Sequence, residues 1–384
     1  MSENYWYNPG FRISFMIQQI EYARRATSLS MKCARTPAQK YLKPVSDGGR
    51  NGGSHGHFST AYYQLTSPSL LGNIRAMLGF FARKPGLGIE ITSSSVRLAA
   101  ISGSAANASV LFTKTTDLPA GTVSENYVAP NVCEIDTLVN VLRESLSAVS
   151  ALHLRRAALS LPDSVFRVQT IEFDELPGKV MDRERLIRWR IEKGAYDISD
   201  TVLRYHVLKR KDGGFTVLVC VAKQAVIAQY EAVLIGLGLE PWSVGLSSFH
   251  TLNFYSPYLS KASSVAAMAQ VSEDSFTTII WEAGSARFYR FKEVKRGSAD
   301  EVKTRLMREI DDSLHFYMHM DRSQHSGLER LYLTGDAAVS HGLSAGLKAM
   351  TSLDVEVLSP SAVIPSLNEA GPELAAALGA GCGL

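Results

Sequence analysis

Cysteine is scarce in this chain, and so is any long apolar run. Cys33, Cys133, Cys220 and Cys382 stand far apart and form no CxxC pair. That spacing excludes both a secreted disulfide framework and the usual thiolate sets of zinc sites, and it fits a reducing compartment. No stretch approaches the roughly 20 apolar residues that cross a bilayer; the runs at Val217–Val221 and Ala262–Met268 are short. The opening MSENYWYNPGFR has no basic segment followed by an apolar one, so no signal peptide is read and the chain is expected in the cytoplasm. Net charge is only +3 over 384 residues, too little to point to nucleic acid or to direct membrane binding. P-loop, G-x-S-x-G, H-E-x-x-H and G-x-G-x-x-G strings are all missing. Their absence removes the common signatures of a phosphate cradle, a nucleophile elbow, a zinc-protease helix and a dinucleotide fold.

What is present is an ordinary globular composition, 46% hydrophobic and 20% charged, unevenly distributed. Residues 1–76 hold nine Lys and Arg against three acidic residues, a surplus of +6 that leaves −3 on the remainder. They also carry the Gly-rich run SDGGRNGGSHG, so 1–76 reads as a disordered or mis-started extension. From residue 87 the pattern changes. Leu87–Ile91, Val96–Ile101 and Ser109–Lys114 read as three short strands. Ile135, Leu138, Val139, Leu142, Leu146 and Val149 follow helical spacing, and Ala157–Leu161 is an apolar strand stopped by Pro162. The order strand, strand, strand, helix, strand returns at Val265–Val271, Phe276–Trp281, Ala286–Phe291, Asp300–Met320 and Arg330–Thr334. Two copies of one plan predict a duplicated α/β molecule with lobes at 77–262 and 263–384. Within the first of them, at about 174–240, a helix near Leu186–Ile191, strands at Val202–Leu208 and Phe215–Val221 and a helix at Ala225–Leu237 predict a small inserted α/β subdomain.

The Ser-rich string Gly88–Leu98 (GIEITSSSVRL) opens the first copy. A turn of this kind offers hydroxyls and backbone N–H groups to phosphate oxygens. The string is similar to the first phosphate hairpin, G-I-D-I-G-S-S-S-V-K-L, of the PilM family of type IV pilus assembly proteins within the actin-like FtsA superfamily. Glu90 stands at the family's Asp and Thr92 at its Gly, where a β-branched residue is expected to hinder a left-handed turn. The second hairpin of the family reads D-I-G-x-x-x-T. Anchoring it on Thr277 puts Val271 and Glu273 at the Asp and Gly positions, and anchoring it on Thr278 puts Ser272 and Asp274 there. Either way Glu273 and Asp274 bring two carboxylates toward a triphosphate. Leu331–Ala338 (LYLTGDAA) resembles the strand-Gly-Gly-helix turn beneath an adenine, with Asp336 in place of the second Gly.

Further stretches resemble the same family in order along residues 77–384. They are Ala158–Phe173, Val219–Val226, Tyr230–Leu239, Pro241–Phe249, Arg308–Tyr317 and Pro372–Gly379. The resemblance implies an actin-like two-lobed fold of duplicated RNase H-like units. It also implies a vestigial nucleotide site at Glu90, Ser93, Ser94, Ser95, Arg97, Thr277, Thr278 and Gly335, with no catalytic residue assigned. No cofactor is expected, ATP with Mg being the alternative that Glu90 leaves open. The implied function is a cytoplasmic scaffold, peripheral to the inner membrane and touching it indirectly. It would form a homo-oligomer, hold the N-terminal tail of a PilN-like inner-membrane protein, and meet other pilus platform and motor proteins. The alternatives are a nucleotide-dependent actin-like ATPase and the cytoplasmic component of a type II secretion platform.

Two other constellations are read as surface. Asp311, His315 and His319 share a helix face at i, i+4 and i+8, opposite the apolar stripe Leu306, Ile310, Leu314 and Tyr317, so no metal site is assigned. Arg183, Arg185, Arg188 and Arg190 around Trp189 are tempered by Glu184 and Glu192, and a charged subdomain face is expected there rather than an RNA site.

Overall fold

The computed structural model describes residues 85–383 except 104–106, 195–197, 211–212, 263–264, 283–284 and 321–326; the extension at 1–76 lies outside the described residues. Alternation and turn chemistry give the first three strands, β1 (Gly86–Ile91), β2 (Ser95–Ser102) and β3 (Ser109–Asp117), as an antiparallel meander. β1 is buried along its whole length because it sits mid-sheet with both faces covered, and β3 keeps exposed positions as an edge strand. Helix α1 (Ile135–Ser147) buries Leu138 and Leu142 and leads into β4 (Arg156–Leu161), which joins β1 in parallel.

The chain then leaves this sheet. β5 (Arg167–Phe173), α2 (Val180–Lys193), β6 (Thr201–Lys209), β7 (Phe215–Lys223) and α3 (Gln224–Gly236) form a three-stranded antiparallel sheet, order β5-β7-β6, with two helices. Its own core sets Ile187 and Ile191 of α2 against Val217, Val219 and Val221 of β7. β5 ends just before the boundary near 174 expected for the insertion, yet it is an edge strand of the inserted sheet, paired with β7 along its length. β8 (Glu240–Leu246) returns to the first sheet beside β4, completing the order β3-β2-β1-β4-β8. No periodicity marks β8 in advance, because Pro241 lies within it. The proline is accommodated where the ladder to β4 shifts register, a place that does not need its missing N–H.

Helix α4 (Ser247–Ala262) crosses to the second lobe, where the same layout repeats. β9 (Val265–Val271), β10 (Ser275–Glu282) and β11 (Ser285–Glu293) form the meander. α5 (Ala299–Met320) buries Leu306, Ile310, Leu314 and Tyr317 on one stripe, as helical spacing requires. β12 (Arg330–Gly335) pairs in parallel with β9 and with β13 (Asp354–Val357), and α6 (Ala337–Thr351) connects them, giving the order β11-β10-β9-β12-β13. The two sheets are the same arrangement built twice. The chain closes with α7 (Ala375–Cys382), every residue of which is buried. It lies directly on β1 because Gly88 has no side chain: a Cβ there would come within 1.9 Å of the Ala377 carbonyl oxygen. Among the described residues no helix is long and apolar enough to cross a membrane.

Candidate functional site

The loops at the β1–β2 and β9–β10 turns face each other across a cleft of about 310 Å3 between the lobes. The two turns are built alike. Thr92 N–H donates to the Ser95 carbonyl at 2.9 Å, and Ser272 N–H donates to the Ser275 carbonyl at 2.9 Å. This equivalence sets Gln270 opposite Glu90 and Ser272 opposite Thr92, a register that neither Thr277 nor Thr278 indicated as an anchor. A hairpin's alignment follows from its closing hydrogen bonds and strand pairing, and Ile91↔Val96 corresponds to Val271↔Phe276. The position of the family Thr is therefore taken by Phe276.

In the first turn the backbone donors are already in use. The Thr92 hydroxyl accepts from Ser95 N–H at 3.0 Å and Ser94 N–H at 3.3 Å and donates to the Ser95 carbonyl at 3.1 Å. Thr92 thus closes the turn with its own side chain, and the turn needs no left-handed residue: the positive-φ residues other than glycine among those described are His153, Asp200 and Ser352. The remaining turn donor, Ser93 N–H, is taken by Oε1 of Glu125, whose Oε2 accepts from the Ser164 hydroxyl at 3.3 Å. Burial pushes the Glu125 carboxyl above the ordinary range of its type, against the pull of these hydrogen bonds.

Glu90 is also spoken for. It is buried, its Oε2 accepts from Arg97 Nη1 at 3.0 Å, and its Oε1 accepts from the Ser247 hydroxyl at 2.8 Å. Gln270 Nε2 donates in turn to Ser247 Oγ at 2.6 Å, so the network runs from β2 through β1 and the start of α4 to β9. Ser93, Ser94, Arg97, Thr277 and Gly335 line the cleft, as Glu90 does. Ser95 is buried in the turn, and Thr278 is buried outside the cleft lining, one residue along β10 from Thr277. Gly335, with φ 99°, makes the close approach of β12 to β9: a Cβ there would meet Val271 O at 2.2 Å. Asp336 follows it, donating its N–H to Val271 O at 2.8 Å and capping α6 by accepting from Val339 N–H at 2.9 Å. That capping role accounts for an aspartate at this position.

Asp163 is the residue that sequence reasoning passed over. It follows Pro162 at the carboxyl end of β4, where open α/β sheets gather their polar groups. Its Oδ2 accepts from the Thr277 hydroxyl at 2.7 Å and the Tyr289 hydroxyl at 3.1 Å, and its Oδ1 accepts from Ser248 N–H at 3.2 Å. One side chain of the first lobe thereby holds β10 and β11 of the second. Burial, outweighing these hydrogen bonds, raises its pKa, and the same burial with Asp163 nearby raises that of Tyr289.

The cleft as a whole is acidic. Glu90, Glu125, Asp163, Glu273, Asp274, Asp336 and Glu373 line it, against Arg97 and Arg296. Arg97 is paired with Glu90, and Arg296 lies 3.9 Å from Asp274. A triphosphate placed between the two turns would meet carboxylates from both sides and find the first turn's N–H groups engaged, so these residues do not fit a nucleotide phosphate. On α5, His315 Nδ1 lies 3.1 Å from the Asp311 carbonyl oxygen and His319 Nδ1 lies 2.7 Å from that of His315, so both rings turn back onto their own helix. On α2, Arg188 pairs with Glu184 at 3.0 Å, Arg183 donates to the Pro177 and Gly178 carbonyls, and Lys193 lies over Trp189.

No family model and no curated protein matches this chain. Among solved structures, the chain is similar to one from a PilM–PilN type IV pilus biogenesis complex: TM-score 0.65, 23% identity, covering 77% of this chain and 97% of that one. A Bacteroides thetaiotaomicron protein with an actin-like ATPase fold gives 0.47 at 15% identity, over 78% of this chain and 96% of that one. The ethanolamine utilization protein EutJ of Carboxydothermus hydrogenoformans gives 0.42 at 12%, over 78% and 89%. The fold is the actin-like two-lobed α/β fold with an inserted subdomain.

Proposed function

We propose that this chain is a cytoplasmic scaffold of a type IV pilus assembly platform, held at the inner membrane by the N-terminal tail of a PilN-like protein. The observation that carries this reading is the likeness to a chain of the PilM–PilN complex over nearly the whole of that chain. The cleft supports it from the chemical side. The fold's two facing turns persist as structure, while the first turn's donors and Glu90 are bonded within the protein. A protein whose work is to hold partners retains such a frame without needing the charge balance of a phosphoryl-transfer site. The other platform and motor proteins, and a second copy of the chain, belong to the same proposal as further partners. Calorimetric titration of the full chain with the cytoplasmic N-terminal peptide of a single-span pilus membrane protein tests it. Saturable heat and a complex retained on gel filtration are expected; no heat and no retained complex would remove the scaffold reading.

A further inference from the structure

The first turn of an actin-like lobe is a concavity of backbone N–H groups, and an exposed donor set of this kind attracts an anion. Here the set is full. Two of its donors, Ser94 and Ser95 N–H, end on the Thr92 hydroxyl, and the third, Ser93 N–H, ends on the Glu125 carboxylate. Glu125 does not belong to the hairpin. It lies 32 residues along, in the loop between β3 and α1. That loop is tied down on both flanks: Leu118 N–H donates to the Ser94 carbonyl at 2.8 Å, and Asn131 N–H donates to Gln229 Oε1 of α3 at 2.8 Å. Between these anchors the Arg167 guanidinium of β5 sits over the Tyr127 ring at 4.8 Å. The second carboxylate oxygen finds the Ser164 hydroxyl, a side chain that also lines the cleft.

We propose that Glu125 is a resident anion: its carboxylate occupies the phosphate seat of the first hairpin, and the chain fills with its own side chains the position that a phosphate ligand would take. The physical reason is that the turn gathers backbone N–H groups at one spot, and a carboxylate accepting from Ser93 N–H makes a charge-assisted hydrogen bond, one of the stronger kinds. Thr92 and Glu125 work as a pair, the hydroxyl closing the turn and the carboxylate capping it. Burial, with the Glu90 charge as a smaller cause, raises the Glu125 pKa, so the hydrogen bonds from Ser93 and Ser164 are what hold the carboxylate in the seat against its desolvation. Because the loop bearing Glu125 is anchored on α3 and packed against β5, the seat is held shut by the inserted subdomain as well as by the hairpin's own lobe.

The test uses the full chain and inorganic phosphate as probe, with the Ser93 amide followed by NMR and thermal unfolding recorded in parallel. In the unaltered chain phosphate binds weakly and leaves the Ser93 amide unmoved. Glu125→Gln removes the charge and keeps the shape, and Glu125→Ala empties the seat. Both are expected to tighten phosphate binding at least about tenfold, the equivalent of one charge-assisted hydrogen bond regained, and to shift the Ser93 amide on binding. Equal affinity in the unaltered and altered chains, or a gain with no movement at Ser93, would overturn the assignment. If neither variant folds, the unaltered chain decides: a Ser93 amide proton that follows the titration of a carboxyl group supports the contact, and one indifferent to pH overturns it. No partner peptide enters these experiments, so their failure leaves the scaffold reading to its own titration.

Discussion

Asp163 shows how one side chain can join two lobes. Its carboxylate draws a hydroxyl from β10, another from β11 and a backbone N–H from the start of α4, with Asp163, Thr277 and Ser248 themselves buried. Asp163→Ala strands these donors and is expected to destabilise the fold by about 3 kcal/mol, read from chemical denaturation. The pH dependence has a definite sign. Because the folded pKa is raised, the unfolded chain holds fewer protons at this residue, so its contribution to stability is fully present below the ordinary carboxylate range and is lost as pH rises through the raised value. Asp163→Asn has no such titration. The melting temperature of the unaltered chain, relative to Asp163→Asn at the same pH, is therefore expected to climb as the pH is lowered from neutrality toward 4. A difference that stays constant with pH, or falls, would show that the carboxyl is ionised at no cost.

At the level of elements, the position of the closing helix rests on missing side chains. α7 has the sequence AAALGAGC and packs on β1 and α4, with backbone approaching backbone closely at Gly88 and at Gly379. A Cβ on Gly379 would lie 2.0 Å from the His250 carbonyl oxygen, and backbone on both sides leaves nothing flexible to move aside. Gly379→Ala is thus expected to cost about 3 kcal/mol or more in urea unfolding, an overpacking penalty at the upper end of its range. Gly236→Ala makes the contrasting control. That glycine is the exposed last residue of α3 with nothing within 4 Å of its Cβ, so the same substitution is expected to be neutral or to stabilise by up to about 1 kcal/mol through helix propensity. Equal effects at the two sites would mean that helix propensity, not close packing, governs these glycines.

Across the whole molecule, the lobes do more than face each other. One continuous apolar core passes from Ile89 and Leu159 of the first sheet through Phe249, Leu252 and Tyr255 of α4 to Met268, Ile279 and Tyr332 of the second. The inserted sheet adds a second bridge, β5 lying against β11, with Arg287 of β11 close enough to help hold down the His206 pKa on β6, where burial is the larger cause. On the proposed scaffold reading, such a frame would carry partners without a nucleotide-driven change of shape. Steady-state phosphate release from ATP with Mg is accordingly expected at background, and unchanged in Glu90→Ala, whose carboxylate is engaged by Arg97 and Ser247. Mg-dependent turnover that disappears in a folded Glu90→Ala variant would identify a divergent ATPase instead.

The sequence by itself determined the local grammar. The strand meanders, the stripes of α1 and α5 and the Ser-rich turn at 92–95 were legible because alternation, helical spacing and turn residues act between near neighbours. The recurrence of that grammar determined the two-lobed plan. Tertiary structure alone decided the rest. β5, β8 and β13 owe their places to strands far along the chain, and β8 carries a proline that local rules count against it. The register of the second hairpin came from its closing hydrogen bonds, and no Thr in the string revealed it. Glu125 meets Ser93 from 32 residues away and Asp163 meets Thr277 from 114. No spacing rule reaches so far, because what brings each carboxylate to its donor is the packing of whole elements; at the buried Asp163–Thr277 pair the cost of leaving the donor unmet arises only once water has been driven out.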